Sequence, residues 1–113
     1  MRRAALLSVA LVFASCGRVQ NTLLVTNRSG VTADRITVTV CGTPRVFTDL
    51  KDGESRTGTF DVRGDSGFLV RASLSDGTTL TDGFGYVTGG AGARGNHARV
   101  EITRDRKIVG TQK

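Results

Sequence analysis

The chain has 113 residues, room for one domain built around a single core. Five Phe, one Tyr and no Trp leave Val, Leu and Ile to fill that core, while 15 Gly and abundant Thr and Val favour short strands and tight turns. The formal charge of +6 is scattered singly and lacks interleaved aromatics, which argues against a nucleic-acid surface and for a mildly basic, solvated one.

Met1-Arg2-Arg3 is a short positive segment, and Ala4 to Ala14 (AALLSVALVFA) is an uncharged, mostly apolar run of 11 residues. That is the size of a signal-peptide core, and it falls short of the roughly 20 apolar residues that a spanning helix needs. Val12-Phe13-Ala14-Ser15-Cys16 closes the run with small residues ahead of a cysteine. This segment resembles the lipobox of bacterial lipoproteins. The resemblance implies cleavage between Ser15 and Cys16, a diacylglyceryl group on the Cys16 thiol, an acylated amine, and a place in the cell envelope. Gly17 after the cysteine, rather than Asp, implies outer-membrane sorting where there are two membranes.

Each buried acyl methylene adds about 0.8 kcal/mol, so two or more chains anchor a protein stably. On this reading residues 1–15 are a signal peptide, 16–21 a lipidated N-terminus with a short tether, and 22–113 the folded domain. Losing Arg2 and Arg3 leaves 14 basic and 10 acidic side chains, a net of +4. The alternative is a soluble secreted or periplasmic protein. Val12-x-Ala14 also suits ordinary signal peptidase, and Cys16 is then free to pair with Cys41 in an oxidising space.

From Thr22 the chain reads as strand after strand. Thr22–Thr26 is an apolar run bounded by the turn cluster Asn27-Arg28-Ser29-Gly30. Arg35–Cys41 alternates cleanly, with Ile36, Val38 and Val40 on one face and Cys41 on the other with Thr37 and Thr39. Pro44 predicts that pairing stops there. Val46–Leu50 and Thr57–Val62 are shorter strands. Phe68–Leu74 points Phe68, Val70, Ala72 and Leu74 one way, and Asp76-Gly77 then signals a hairpin. The returning strand, Thr78–Val87, sets Leu80, Phe84 and Tyr86 on one face, with Gly83 and Gly85 allowing a bulge. His97–Thr103 places Ala98, Val100 and Ile102 inward, and Lys107–Thr111 is a last short strand. Seven or eight strands without a helical window predict an all-β, antiparallel sandwich of immunoglobulin-like architecture, with a small β-barrel as the alternative.

Catalytic chemistry finds little to work with. The sole His97 and Cys41 have no sequence relation that places a base beside a nucleophile, so Cys41 reads as an inert, partly buried residue. Asp61 with Asp65, or Asp76 with Asp82, read as turn formers before they read as a carboxylate pair. Metal-ligand spacing is missing, and no cofactor is expected. The segment Gly83–Gly95 lacks the helix and the Gly-Lys-Ser/Thr ending of a phosphate loop. It reads as a flexible connection, with Tyr86, Arg94 and His97 as the candidate recognition residues. Arg63-Gly64-Asp65 and the sequon Asn27-Arg28-Ser29 read as turns. The expectation is a membrane-anchored, non-enzymatic binding or structural module whose partner is an envelope protein or polysaccharide, met through edge strands or loops. An accessory or inhibitor of an envelope enzyme is the second expectation.

Overall fold

The computed structural model describes residues 19–113; the expected signal peptide and Cys16 lie outside the described residues. Eight strands form two four-stranded sheets. They are β1 (Asn21–Asn27), β2 (Ala33–Val40), β3 (Thr43–Leu50), β4 (Ser55–Phe60), β5 (Ser66–Leu74), β6 (Thr79–Val87), β7 (His97–Ile102) and β8 (Ile108–Gln112). The first sheet runs β4-β1-β7-β8 and the second β3-β2-β5-β6, so the chain makes an all-β sandwich and not a closed barrel. Strand pairing is antiparallel except between β1 and β7, which run parallel with Leu23 opposite Ala98 and Val25 opposite Val100.

Period-two alternation makes the core. Leu23 and Val25 of β1, Ile36, Val38 and Val40 of β2, Val70 and Ala72 of β5, and Ala98, Val100 and Ile102 of β7 all turn inward and are buried. Fully burying one such branched side chain contributes about 1.5–3 kcal/mol. Three phenylalanines join the sheets at one end. Phe68 meets Phe60 edge-on with centroids 5.4 Å apart and stacks on Phe84 at 4.8 Å.

Several local expectations are corrected. Pro44 does not end the pairing: it sits opposite Thr39 within β3, an edge strand. The pair closing the two-residue turn is Val40 with Thr43, so the neighbouring Pro44 occupies a position whose amide would point away from β2. Cys41 is not on a strand face but in that turn, where Cys41 and Gly42 take φ of 52° and 77°. Tyr86 does not share the inward face of Leu80 and Phe84. An extra residue on β6 between the pairs Phe68–Phe84 and Ser66–Val87, with Gly85 at φ 67°, reverses the alternation. Val87 is therefore buried and Tyr86 is 57% exposed. Asn27 belongs to β1 rather than to the turn after it, and β1 begins at Asn21, inside the expected tether.

The two open sides of the sandwich are laced by side chains. Between β3 and β4, Arg45 Nε donates to the Thr59 carbonyl at 2.8 Å and Arg56 Nη1 to the Thr48 carbonyl at 2.9 Å. Between β6 and β8, Gln112 holds the backbone of Tyr86, and the Phe84 ring lies over Gly110. Carbonyls that edge strands would otherwise offer to another chain are thereby satisfied internally.

Candidate functional site

The burial pattern of β1 carries polar residues at both ends of its inward face: Asn21, Leu23, Val25, Asn27. Each asparagine organises the loops at its own end of the sandwich. At the end where β1 starts, here the proximal end, Asn21 Nδ2 donates to the carbonyls of Phe60 (3.1 Å) and Ala93 (2.7 Å). Its Oδ1 accepts from the backbone and side-chain amides of Asn96, both at 3.0 Å. All four bonds available to a carboxamide are made, which offsets the cost of burying it.

These bonds bear on the glycine-rich connection. The segment expected to be flexible contains a 3₁₀ turn, Gly90–Ala93, gripped by Asn21 at Ala93 and by Asn96 at the Gly92 carbonyl (3.0 Å). It packs against the β4–β5 loop, where Asp65 accepts from the Gly89 amide at 3.2 Å. Arg63-Gly64-Asp65 is part of this packing, since the Gly64 carbonyl also receives the Cys41 thiol at 3.4 Å. The Asp65 carboxylate beside Tyr86 raises its phenol above the ordinary value, and partial desolvation adds to the shift.

At the distal end the sequon asparagine is fully buried. Asn27 Nδ2 donates to the Val31 (2.7 Å) and Leu50 (2.8 Å) carbonyls, and its Oδ1 accepts from the Ser29 amide at 3.0 Å. Asp76, in the β5–β6 connection, is held at about 2 by hydrogen bonds from Thr78 and by the Arg106 guanidinium 2.7 Å away. That environment explains Asp76 as a structural anion, apart from Asp82 on β6.

The three residues singled out for recognition do not converge. Arg94 is exposed at an open depression of about 600 Å³ at the proximal end, lined also by Val19, Asn21, Phe60, Asp61 and Val62. His97 lies on the outer face of the first sheet with Nδ1 2.6 Å from Thr22 Oγ1. It borders a second depression, of about 630 Å³, with Leu24, Arg99, Thr111 and Lys113. Tyr86 lines neither of the two. Sequence reasoning missed Arg99, Lys113 and the organising residues Asn21, Asn96 and Gln112. For Asn21 the usable signal is its spacing of two from Leu23, which puts it on the apolar face of β1.

No family model matches the chain, and no curated protein is similar to it. Among solved structures, the NMR structure of the protein from Eubacterium rectale superimposes with a TM-score of 0.60 at 17% identity, covering 85% of this chain and 90% of that one. Likeness at that identity concerns the fold alone.

Proposed function

We propose that the chain is a lipid-anchored cell-envelope protein whose sandwich serves as a non-enzymatic binding or structural module. The observation that carries this reading is the position of Asn21. It begins β1 five residues after Cys16, so an acylated cysteine would hold the proximal end within about 18 Å of the bilayer surface. The placement of the reactive side chains supports the non-enzymatic part. The His97 ring is bonded to Thr22 on the outer face of one sheet, while the Cys41 thiol, in the β2–β3 turn of the other sheet, donates to the Gly64 carbonyl. The partner class that fits an envelope module is a protein or polysaccharide, and blocking an envelope enzyme is a variant of the same binding role.

One observation favours a second reading, a soluble form with a Cys16–Cys41 disulfide. Cys41 sits in the β2–β3 turn at the proximal end, only partly buried. Intact mass of the mature protein separates the two. Acyl mass on a chain beginning at Cys16, lost in Cys16→Ala, is the expected result. A chain beginning at Ser15, two hydrogens light and without acyl mass, would refute the anchor.

A further inference from the structure

Strand register assembles a block of hydrogen-bond donors on the outer face of the first sheet. Thr22 of β1 lies between Thr59 of β4 and His97 of β7, and His97 lies opposite Lys113, which follows β8. At the next outward position of β1, Leu24 lies between Thr57 and Arg99, and Arg99 lies opposite Thr111. Strands about 4.8 Å apart spread these two rows over roughly 14 Å. Thr57, Thr59, His97, Arg99, Thr111 and Lys113 are exposed, and the part formed by β1, β7 and β8 is the depression of about 630 Å³.

None of these eight side chains is acidic. Arg99 and Lys113 are diagonal neighbours, about 7–8 Å apart, and neither has an ion-pair partner among the described residues. Glu101, the next outward residue of β7, is engaged by Arg28 at 3.5 Å. The terminal carboxylate of Lys113 lies in the ladder, where it accepts from the His97 amide at 3.2 Å. With it counted, the two rows carry two positive charges against one negative and stay net positive. Like charges side by side on a sheet oppose folding, so packing does not account for this pair. Thr22 Oγ1 engages His97 Nδ1 at 2.6 Å, which leaves Nε2 for a ligand.

We propose that this face binds an acidic polysaccharide, with its carboxylate or phosphate groups on Arg99 and Lys113 and its hydroxyls on the threonines and His97. The surface deepens the binding-module reading and rests on it for an envelope partner. Charge complementarity selects an anionic chain, and hydroxyl groups beside the cations suit one that carries sugar hydroxyls. The two rows hold no Phe, Tyr or Trp on which bases could stack, which disfavours a nucleic acid. Half-buried Leu24 is their one large apolar side chain, too little to anchor a protein interface.

The test is titration of the mature protein in neutral detergent with polygalacturonate, phosphomannan, neutral dextran and poly-L-glutamate. One of the two acidic polysaccharides should bind at least about tenfold more tightly than dextran or poly-L-glutamate, and high salt should weaken it. Which of the two binds identifies the acidic group. Arg99→Glu with Lys113→Glu should weaken that binding about tenfold or more. Arg35→Glu with Arg71→Glu, the same change of charge on the outer face of the second sheet, should leave it unchanged. Thermal denaturation checks that both variants fold; Arg99→Gln with Lys113→Gln, which puts no new acid beside Glu101, should weaken binding in the same direction. No binding to either acidic polysaccharide, equal binding to poly-L-glutamate, or equal loss in the Arg35 and Arg71 variant overturns the proposal. The anchor reading fails separately, on absence of acyl mass, and the unacylated chain then meets the same titration.

Discussion

The side-chain amide of Gln112 bonds twice to the backbone of a single residue, Tyr86. Its Oε1 accepts from the Tyr86 amide at 2.8 Å and its Nε2 donates to the Tyr86 carbonyl at 2.7 Å. A side chain on one sheet thus takes the place of a ladder rung on the other, at the bulge where β6 has lost register with β5. Gln112→Ala removes both bonds and is expected to cost about 1–2 kcal/mol. Chemical denaturation reads the loss, and faster amide exchange at Tyr86 localises it; exchange unchanged at Tyr86 would show that the link contributes nothing.

The paired asparagines of β1 should respond differently to truncation. Asn27→Ala leaves the Val31 and Leu50 carbonyls without their buried donor, so a loss of about 3 kcal/mol in global stability is expected. Asn21→Ala frees the glycine-rich turn, and its clearest readout is trypsin cleavage after Arg94, absent from the parent and rapid in the variant. Equal stability of Asn27→Ala and the parent would remove that residue from its structural role.

Gly110 is required by a neighbour across the sandwich rather than by its own backbone. A Cβ at this position would run into the Phe84 ring. Gly110→Ala should therefore destabilise by about 2 kcal/mol or more, through displacement of a ring that also stacks on Phe68. The double variant Gly110→Ala with Phe84→Leu should lose less than the sum of the two single changes. Strict additivity in thermal denaturation would contradict the contact.

Acid should weaken the distal end in a defined window. Asp76 titrates at about 2 in the folded protein, below its ordinary value of 3.8. A depressed carboxyl contributes stability above its unfolded value, and that contribution disappears as pH falls through the folded one. The Asp76 contribution should thus be complete above about pH 5 and lost progressively between pH 4 and 2. Asp76→Asn should flatten this part of the stability profile and leave the neutral-to-alkaline part parallel to the parent. A variant with the same acid slope would assign the dependence to other carboxyls.

Faces of strands were legible because their cause is local. Alternation of apolar and polar residues at a period of two needs no partner to be read, and it places Ile36, Val38 and Val40, then Phe68 to Leu74, then Ala98, Val100 and Ile102 correctly. Reading failed where a position's meaning depends on a distant one. Pro44 is tolerated because β3 is an edge, and Tyr86 turns outward because β6 gains a residue against β5. Asn21 is buried because Ala93 and Asn96, over 70 residues away, complete its hydrogen bonds.

The sequence alone therefore determined an all-β chain of short strands, since hydrophobic period and turn chemistry act over a few residues. Only the tertiary structure decided that the strands form two open sheets, which strands are edges, and which loops share an end with Asn21. Those depend on pairings such as β1 with β7, which are set by burying a common core and satisfying backbone groups across the whole chain.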